Sequence, residues 1–436
     1  MKKEFLAALV LFLLPLAACG GGSSTSVSNN QPPPPVQGAM TTVDFGISHQ
    51  TIRGFGGAES WMGTSTVTPA INPLFGTGNN QIGLSIFRIR IDPSSTSAGS
   101  QWDAELTNAK NAINAGSNVS IIATPWTPPP TWKINIPDVT NPVAEGSLNP
   151  TDYANYANYL ASYVTYAANK GVNLYAISMQ NEPDANVTYE SCAWTPIEMD
   201  NWLAQLPAGL FGSTKLIMPE SESFTQAFSN PALSDANAVG NIGIIAGHLY
   251  GTTPSAYPAA VTAGKEIWMT EHFLTPSGAQ PAIADALAAA KEIHDSMTIG
   301  QYNAYVWWWA IDWNPGTGVT NTGLVDTSSN PNYYGWAMAQ YSRFVRPGYV
   351  RVDAAYSTPS VYVSAYSGAG HSVIVAINMG TSAVSQPFTI KNQAVTSLLP
   401  YQTTATSTVA QQASIGVSGG QFTYTLPAQS ITTFVQ

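Results

Sequence analysis

Ala176-Ile177-Ser178-Met179-Gln180-Asn181-Glu182-Pro183 and Glu266-Ile267-Trp268-Met269-Thr270-Glu271 are two apolar runs that each stop on a glutamate. Both read as buried strands. A carboxylate at such a strand end is costly, because an unpaired charge taken out of water is strongly penalised or keeps its proton. Two strand ends of this kind can bring two carboxyls into one cleft. One can then donate a proton while the other attacks or activates water, the equipment for retaining or inverting hydrolysis of a glycosidic bond.

Outward from these runs the chain alternates strand and helix. Strand cores are read at 52–57, 83–91, 119–124, 174–182, 215–220, 242–250, 265–271 and 302–309, and helices at about 101–115, 150–169, 195–206, 231–239, 281–299 and 334–344. The helix at 150–169 opens on Asn149-Pro150, a cap followed by a first-turn proline, and closes near Gly171. Its Tyr153, Tyr156, Tyr159, Tyr163 and Tyr166 form one stripe, expected to pack on the barrel. Eight alternating units predict an α/β fold, a parallel (β/α)₈ TIM barrel with active groups at the C-terminal strand ends. Glu182 then ends strand four and Glu271 strand seven. The barrel is assigned to 51–344. From 345 to 436, short Thr-, Ser- and Val-rich strands with turn signals predict an antiparallel β-sandwich side domain. The strand at 41–50, centred on Val43, Phe45 and Ile47, is expected to join it.

The N-terminus carries Lys2 and Lys3, an apolar run from Phe5 to Ala18, and Cys19. This is the pattern of a signal peptide over 1–18, too short for a comfortable membrane span. Leu16-Ala17-Ala18-Cys19 resembles the lipobox of bacterial lipoproteins, so Cys19 is expected to be lipidated. Export is expected, with lipid anchoring at the outer membrane or cell surface, or secretion. Residues 19–40, rich in Gly, Ser and then Pro, read as a tether. Once Cys19 is modified, Cys192 has no partner for an intramolecular disulfide.

Charged residues make up only 9% of the chain, against roughly 25% in average soluble proteins, a balance suited to a neutral polymer. With a net charge of −10 and no basic run past residue 3, nucleic acid is not an expected partner. No phosphate loop or dinucleotide fingerprint is present. His248 and His272 have no metal-ligand spacing and no third partner, so no metal site is read and His248 is taken as a satisfied histidine.

Several motifs in order carry a resemblance: Ile52-Arg53-Gly54-Phe55-Gly56-Gly57, Ala123-Thr124-Pro125-Trp126, Leu174 to Asp184, His248-Leu249-Tyr250-Gly251-Thr252, Trp268-Met269-Thr270-Glu271, Ala304-Tyr305-Val306-Trp307-Trp308 and Arg343-Phe344-Val345-Arg346-Pro347-Gly348-Tyr349. The chain is similar to glycoside hydrolase family 30, in clan A, and to its bacterial xylanase subfamily 8. The resemblance implies retention of anomeric configuration, Glu182 as acid/base and Glu271 as nucleophile. Its implied substrate is xylan, cut at internal β-1,4-xylosidic bonds without a cofactor. A related β-glucanase or glucosidase, or a non-catalytic polysaccharide-binding lipoprotein, is the alternative. A monomer touching the membrane only through its lipid is expected.

Glu182 must begin protonated, so its site is expected to raise its pKa; Glu271 must stay ionised and needs donors. Arg88, Tyr250 and Asn181 are assigned as suppliers from barrel position and resemblance, with Asn181 also placed for a sugar 2-OH. Arg90, on the same strand face, is the rival of Arg88. Trp61, Trp126, Trp307 and Trp309 are expected at the mouth, where indole suits apolar sugar faces; alternation points Trp308 outward. Glu220 and Glu222 are read as structural or supporting, Glu59 as a candidate sugar contact. Glucuronoxylan-specific relatives carry an arginine pair after strand eight, where this chain has Trp309-Ala310-Ile311-Asp312-Trp313-Asn314-Pro315. Independence from glucuronic acid branches follows as an expectation.

Overall fold

A computed structural model describes residues 33–94, 102–185, 187–312 and 320–436. The expected signal segment, Cys19, the tether up to residue 32 and the stretch 313–319 lie outside the described residues. Eight parallel strands close a barrel in sequence order: β1 (Gly54–Ala58), β2 (Ile86–Ile91), β3 (Ser120–Pro125), β4 (Leu174–Ser178), β5 (Lys215–Ser221), β6 (Ile244–His248), β7 (Glu266–Glu271) and β8 (Ala304–Trp307). Nearly every residue in them is buried, as expected of a parallel sheet covered on both faces. Three of the five residues of β1 are glycine, and the neighbours sit very close: a Cβ on Gly56 would lie 2.6 Å from the Ile86 carbonyl oxygen.

Helices Asp103–Ala115, Tyr153–Asn169, Pro196–Ala204, Ile283–Thr298 and Tyr333–Ser342 form much of the outer layer. Asn149 accepts from the Thr151 amide, with Pro150 in the first turn, and a Thr195/Glu198 capping box starts the helix at Pro196. The tyrosine stripe packs inward. Tyr156 and Tyr159 donate to the carbonyls of Met179 and Asp92, and Trp102 lies edge-on to Tyr159 and Tyr163. Burying each such ring stabilises by roughly 1.5–3 kcal/mol. The short helices Thr64–Val67, Ile71–Phe75 and Pro258–Thr262 give no sequence signal because each spans only four or five residues.

The second body is one hydrogen-bonded sheet of eleven strands, mostly antiparallel. It curls until its two halves face each other: Phe388 and Phe434 lie 5.6 Å apart although four strands separate theirs in the sheet order. Thr41–Thr51 lies inside this sheet, antiparallel to Val350–Ala355 and parallel to Val384–Lys391. Val36–Gln37, read from sequence as tether, pairs with Val384–Ser385 at the sheet edge. Strands Ser397–Thr404 and Ser407–Gln411 escaped the sequence reading, the first because Pro400 inside it argues against a strand.

Candidate active site

Arg88 projects from β2 into the C-terminal end of the barrel and is fully buried. Its Nη1 donates to Glu271 Oε2 at 2.5 Å and its Nη2 to Asn181 Oδ1 at 2.6 Å, while Nε lies 3.4 Å from Glu220 Oε1. Arg90 is spent elsewhere, on Glu190 and Asp92. Asn181 therefore acts one step from Glu271, fixing Arg88 through its carbonyl, which leaves its NH₂ as the end not used by the guanidinium. The Tyr250 hydroxyl donates to Glu271 Oε1 at 3.0 Å.

Strand β4 stops at Ser178, four residues before Glu182, and the chain climbs over the rim with its amides tied to neighbouring strands. Asn181 N–H donates to the Pro125 carbonyl and Glu182 N–H to that of Glu220. Glu182 and Glu220 both adopt left-handed backbone, φ 44° and 54°. Non-glycine residues pay for this conformation, and such strain collects at functional sites. His248, fully buried at the end of β6, places Nδ1 2.9 Å from Glu182 Oε1 and 3.9 Å from Glu271 Oε1, with Nε2 4.0 Å from Glu220 Oε1.

Two cations thus face three buried carboxyls. Burial pulls the His248 pKa down, but Glu271, Glu182 and Glu220 outweigh it and raise it to about 10, so the ring is an imidazolium. Burial opposes ionisation of Glu220 too, yet Arg88 and His248 hold it down to about 2. For Glu271, burial and the charge of Glu182 win over His248, Arg88 and Tyr250, and its pKa is raised, although it has the Arg88 and Tyr250 donors that the sequence reading asked for.

Glu182, His248 and Glu271 each present one atom within 4.8 Å of the others, a spacing that could hold a metal. The donor set fits a cation poorly: the Arg88 guanidinium and the Tyr250 hydroxyl already occupy the two oxygens of Glu271.

The aromatic wall differs from the sequence reading. Trp61 meets Trp126 edge-on at 5.1 Å, Trp126 lies 5.7 Å from Trp308, and Trp308 is 4.8 Å from Trp309. The Arg88 guanidinium sits 4.8 Å over Trp126. Trp307 is not at the mouth. It is 1% exposed, packs on Tyr334, and donates Nε1–H to the Thr322 carbonyl. The parity of β8 was misread: Tyr305 and Trp307 face the helices, and Trp308, beyond the strand end, turns to the cleft.

Glu59 does not reach the cleft. It is fully buried against Asn108 and Glu105, and burial raises it to about 7. Glu222 is exposed and its N–H donates to Asp184. Asp312 accepts from the Asn321 backbone amide. Cys192 is buried and its thiol is pushed up to about 12, which removes it as a nucleophile. His272 is held by Glu292 at 2.8 Å behind the Tyr250 ring. Tyr189, half exposed beside Glu182, went unnoticed in the sequence because it sits in a loop with no period to flag it.

The family profile described as the glycosyl hydrolase family 30 TIM-barrel domain matches residues 95–262. A glucuronoxylanase, XynC, of Bacillus subtilis strain 168 is 36% identical over 403 residues, covering 90% of this chain and 91% of that protein. Among solved structures, the family 30 subfamily 8 xylanase Xyn30A of Clostridium acetobutylicum superposes with a TM-score of 0.81 at 41% identity, covering 91% of this chain and 99% of that one. A family 30 endoxylanase of Clostridium papyrosolvens C71 gives 0.81 at 39% identity with the same coverage. With paired carboxyls at the ends of β4 and β7 and relatives of this similarity along nearly its whole length, the chain belongs to glycoside hydrolase family 30 and is a glycoside hydrolase of the xylanase type.

Proposed function

We propose that the chain cleaves internal β-1,4-xylosidic bonds with retention of configuration, Glu182 serving as acid/base and Glu271 as nucleophile, and does so without requiring glucuronic acid branches. The observation that carries the mechanism is the approach of Glu182 and Glu271 oxygens to within 4.8 Å. Retaining enzymes hold their carboxyls about 5–5.5 Å apart, whereas inverting ones leave about 6.5–9.5 Å for a water. In the first step Glu271 attacks the anomeric carbon while Glu182 gives its proton to the departing oxygen. In the second, Glu182 takes a proton from water as water displaces Glu271. Arg88 and Tyr250 hold the two Glu271 oxygens and so fix the direction of attack. His248 occupies one oxygen of Glu182, leaving the other for the leaving group.

Independence from glucuronate is supported by charge. No Lys or Arg lies between Lys291 and Arg343, a stretch that includes the segment after β8, so no cation there can grip a carboxylate branch. Among the neighbouring cations of the cleft, Arg88 and Arg90 are already engaged by acidic partners.

Product analysis on glucuronoxylan and on undecorated or arabinose-substituted xylan tests the reading, with the anomer of the first product followed by NMR. Equal oligosaccharide ladders and an initial β-anomer are expected. Cleavage of glucuronoxylan alone would restore a branch requirement. Cleavage of neither, with release from a β-glucan, would favour the glucanase alternative. The Leu16–Cys19 motif supports export and lipid attachment at Cys19, which mass spectrometry of the mature N-terminus would test.

A further inference from the structure

Two excursions from the barrel fold onto each other beside Glu182. The chain after β3 makes a short hairpin, Lys133–Ile134 with Ser147–Leu148, and the chain after β4 runs along it. Ser191 N–H donates to the Val143 carbonyl, Ala193 N–H to that of Gly146, and the Asn141 amide to that of Thr188. The buried Lys133 ammonium gathers the carbonyls of Val143, Ala144 and Ser191 at 3.0, 3.3 and 2.9 Å. These bonds make one wall, but they do not fasten it to the barrel.

Arg90 does. It is 6% exposed and its fork takes both oxygens of Glu190, Nε at 2.8 Å and Nη2 in a shorter bond. Nη1 reaches Asp92 at 2.9 Å, and the guanidinium lies 5.3 Å from the Trp61 ring. One side chain on β2 thus joins the segments after β1, β2 and β4. A buried ion pair is weak as a source of stability, because desolvation offsets its attraction, but a two-bond fork defines register and orientation well. Glu190 is preceded by Tyr189, whose phenol interacts with the Glu182 carboxyl while the residue stays 49% exposed.

We infer that Arg90 and Glu190 form a positioning clamp that sets the leaving-group side of the cleft, holding Tyr189 at the Glu182 carboxyl and Trp61 against Trp126. The inference rests on the reading of Glu182 as proton donor. A phenol beside that donor, on the open side, meets the sugar that departs. Neither Arg90 nor Glu190 touches substrate, since their polar atoms are used on each other and on Asp92. Loss of the clamp lets the wall tilt without unfolding, because Lys133 and the backbone bonds still hold it together.

The test uses Glu190→Ala, Glu190→Gln, Tyr189→Phe and the double variant Tyr189→Phe/Glu190→Ala. Substrates are xylan and an aryl β-xyloside, whose good leaving group has no sugar on that side. Glu190→Ala should lower kcat/KM on xylan by about 10- to 100-fold and on the aryl xyloside by less than about threefold, with Glu190→Gln in between. In the Tyr189→Phe background the further loss should shrink to less than about threefold, the non-additivity expected when one residue acts through the other. Equal losses on both substrates, or fully additive losses, would overturn the clamp. Amide hydrogen exchange over 187–194 supplies a readout that needs no substrate: it should quicken in Glu190→Ala, and unchanged exchange there would also overturn the inference. Wild-type inactivity on xylan would instead count against the proposed function, while the exchange result would still decide the clamp.

Discussion

At the N-terminal end of the barrel Arg53 and Lys215 close on one carboxylate, Glu266, at 2.9 and 2.6 Å, whereas at the C-terminal end Arg88 and His248 face Glu182, Glu220 and Glu271. The lower cluster is partly open, with side-chain exposures of 37%, 33% and 16% for Arg53, Lys215 and Glu266. Burial pushes Glu266 up, but hydrogen bonds from Lys215 and Arg53 hold it below the usual carboxylate range. Every charge there has an opposite neighbour and nothing is left to react. The upper cluster is buried and sets three carboxyls against two cations. Buried clusters of mismatched charge are where perturbed titration and proton transfer concentrate. The two ends of one barrel thus separate holding the fold together from doing chemistry.

The largest expected effect tests that division directly. Glu271→Gln should lower kcat on xylan on the order of 10⁴-fold with little change in Tm; activity retained within tenfold would show that the upper carboxyls are structural as well. Arg88→Met should cost both properties, since it strands buried Glu220 and Glu271. Stability should fall by about 3–5 kcal/mol in urea titration, with activity reduced on the order of 100-fold.

A pH experiment distinguishes the ends next. The folded pKa of His248, about 10, lies above its ordinary value of 6.5, so its contribution to stability is fully present below about pH 6.5 and is lost as pH rises through 10. Between pH 6 and 9.5 the Tm of the wild type should fall more than that of His248→Asn. The gap between wild type and Lys215→Met should stay constant across the same window, because the pKa of Lys215 is raised from 10.5. The smallest effect belongs to Lys215→Met itself, about 1 kcal/mol of stability with kcat unchanged. A loss of kcat there would mean that the two ends are coupled through the barrel.

Much of this layout was legible in the sequence because a parallel barrel writes its strands as continuous apolar runs, and a glutamate closing such a run stands out. Glu182 and Glu271 were visible for that reason. The same continuity hid the facing of β8: both of its faces are buried, so alternation could not say whether Trp307 or Trp308 looks into the cleft. Arg88 and Arg90 share one strand face, and only the partners, Glu271 and Asn181 against Glu190 and Asp92, tell them apart. Those partners come from other strands and loops, beyond the reach of local pattern. The imidazolium of His248 depends on three carboxyls contributed by β5, β7 and the segment after β4, which no spacing within the His248-Leu249-Tyr250 stretch could announce.

The strand Thr41–Thr51 has a consequence for how this protein is made. It is among the first parts synthesised, yet both of its sheet neighbours come from beyond residue 349; His49 and Asp353, in contact across the sheet, are 304 residues apart in sequence. At roughly 5–20 residues per second the ribosome needs on the order of 15–60 s to deliver the first of those neighbours. For that interval an alternating apolar strand has open edges and must be kept from pairing with another copy. Ending the chain at residue 344 would leave that early strand without either of its sheet partners.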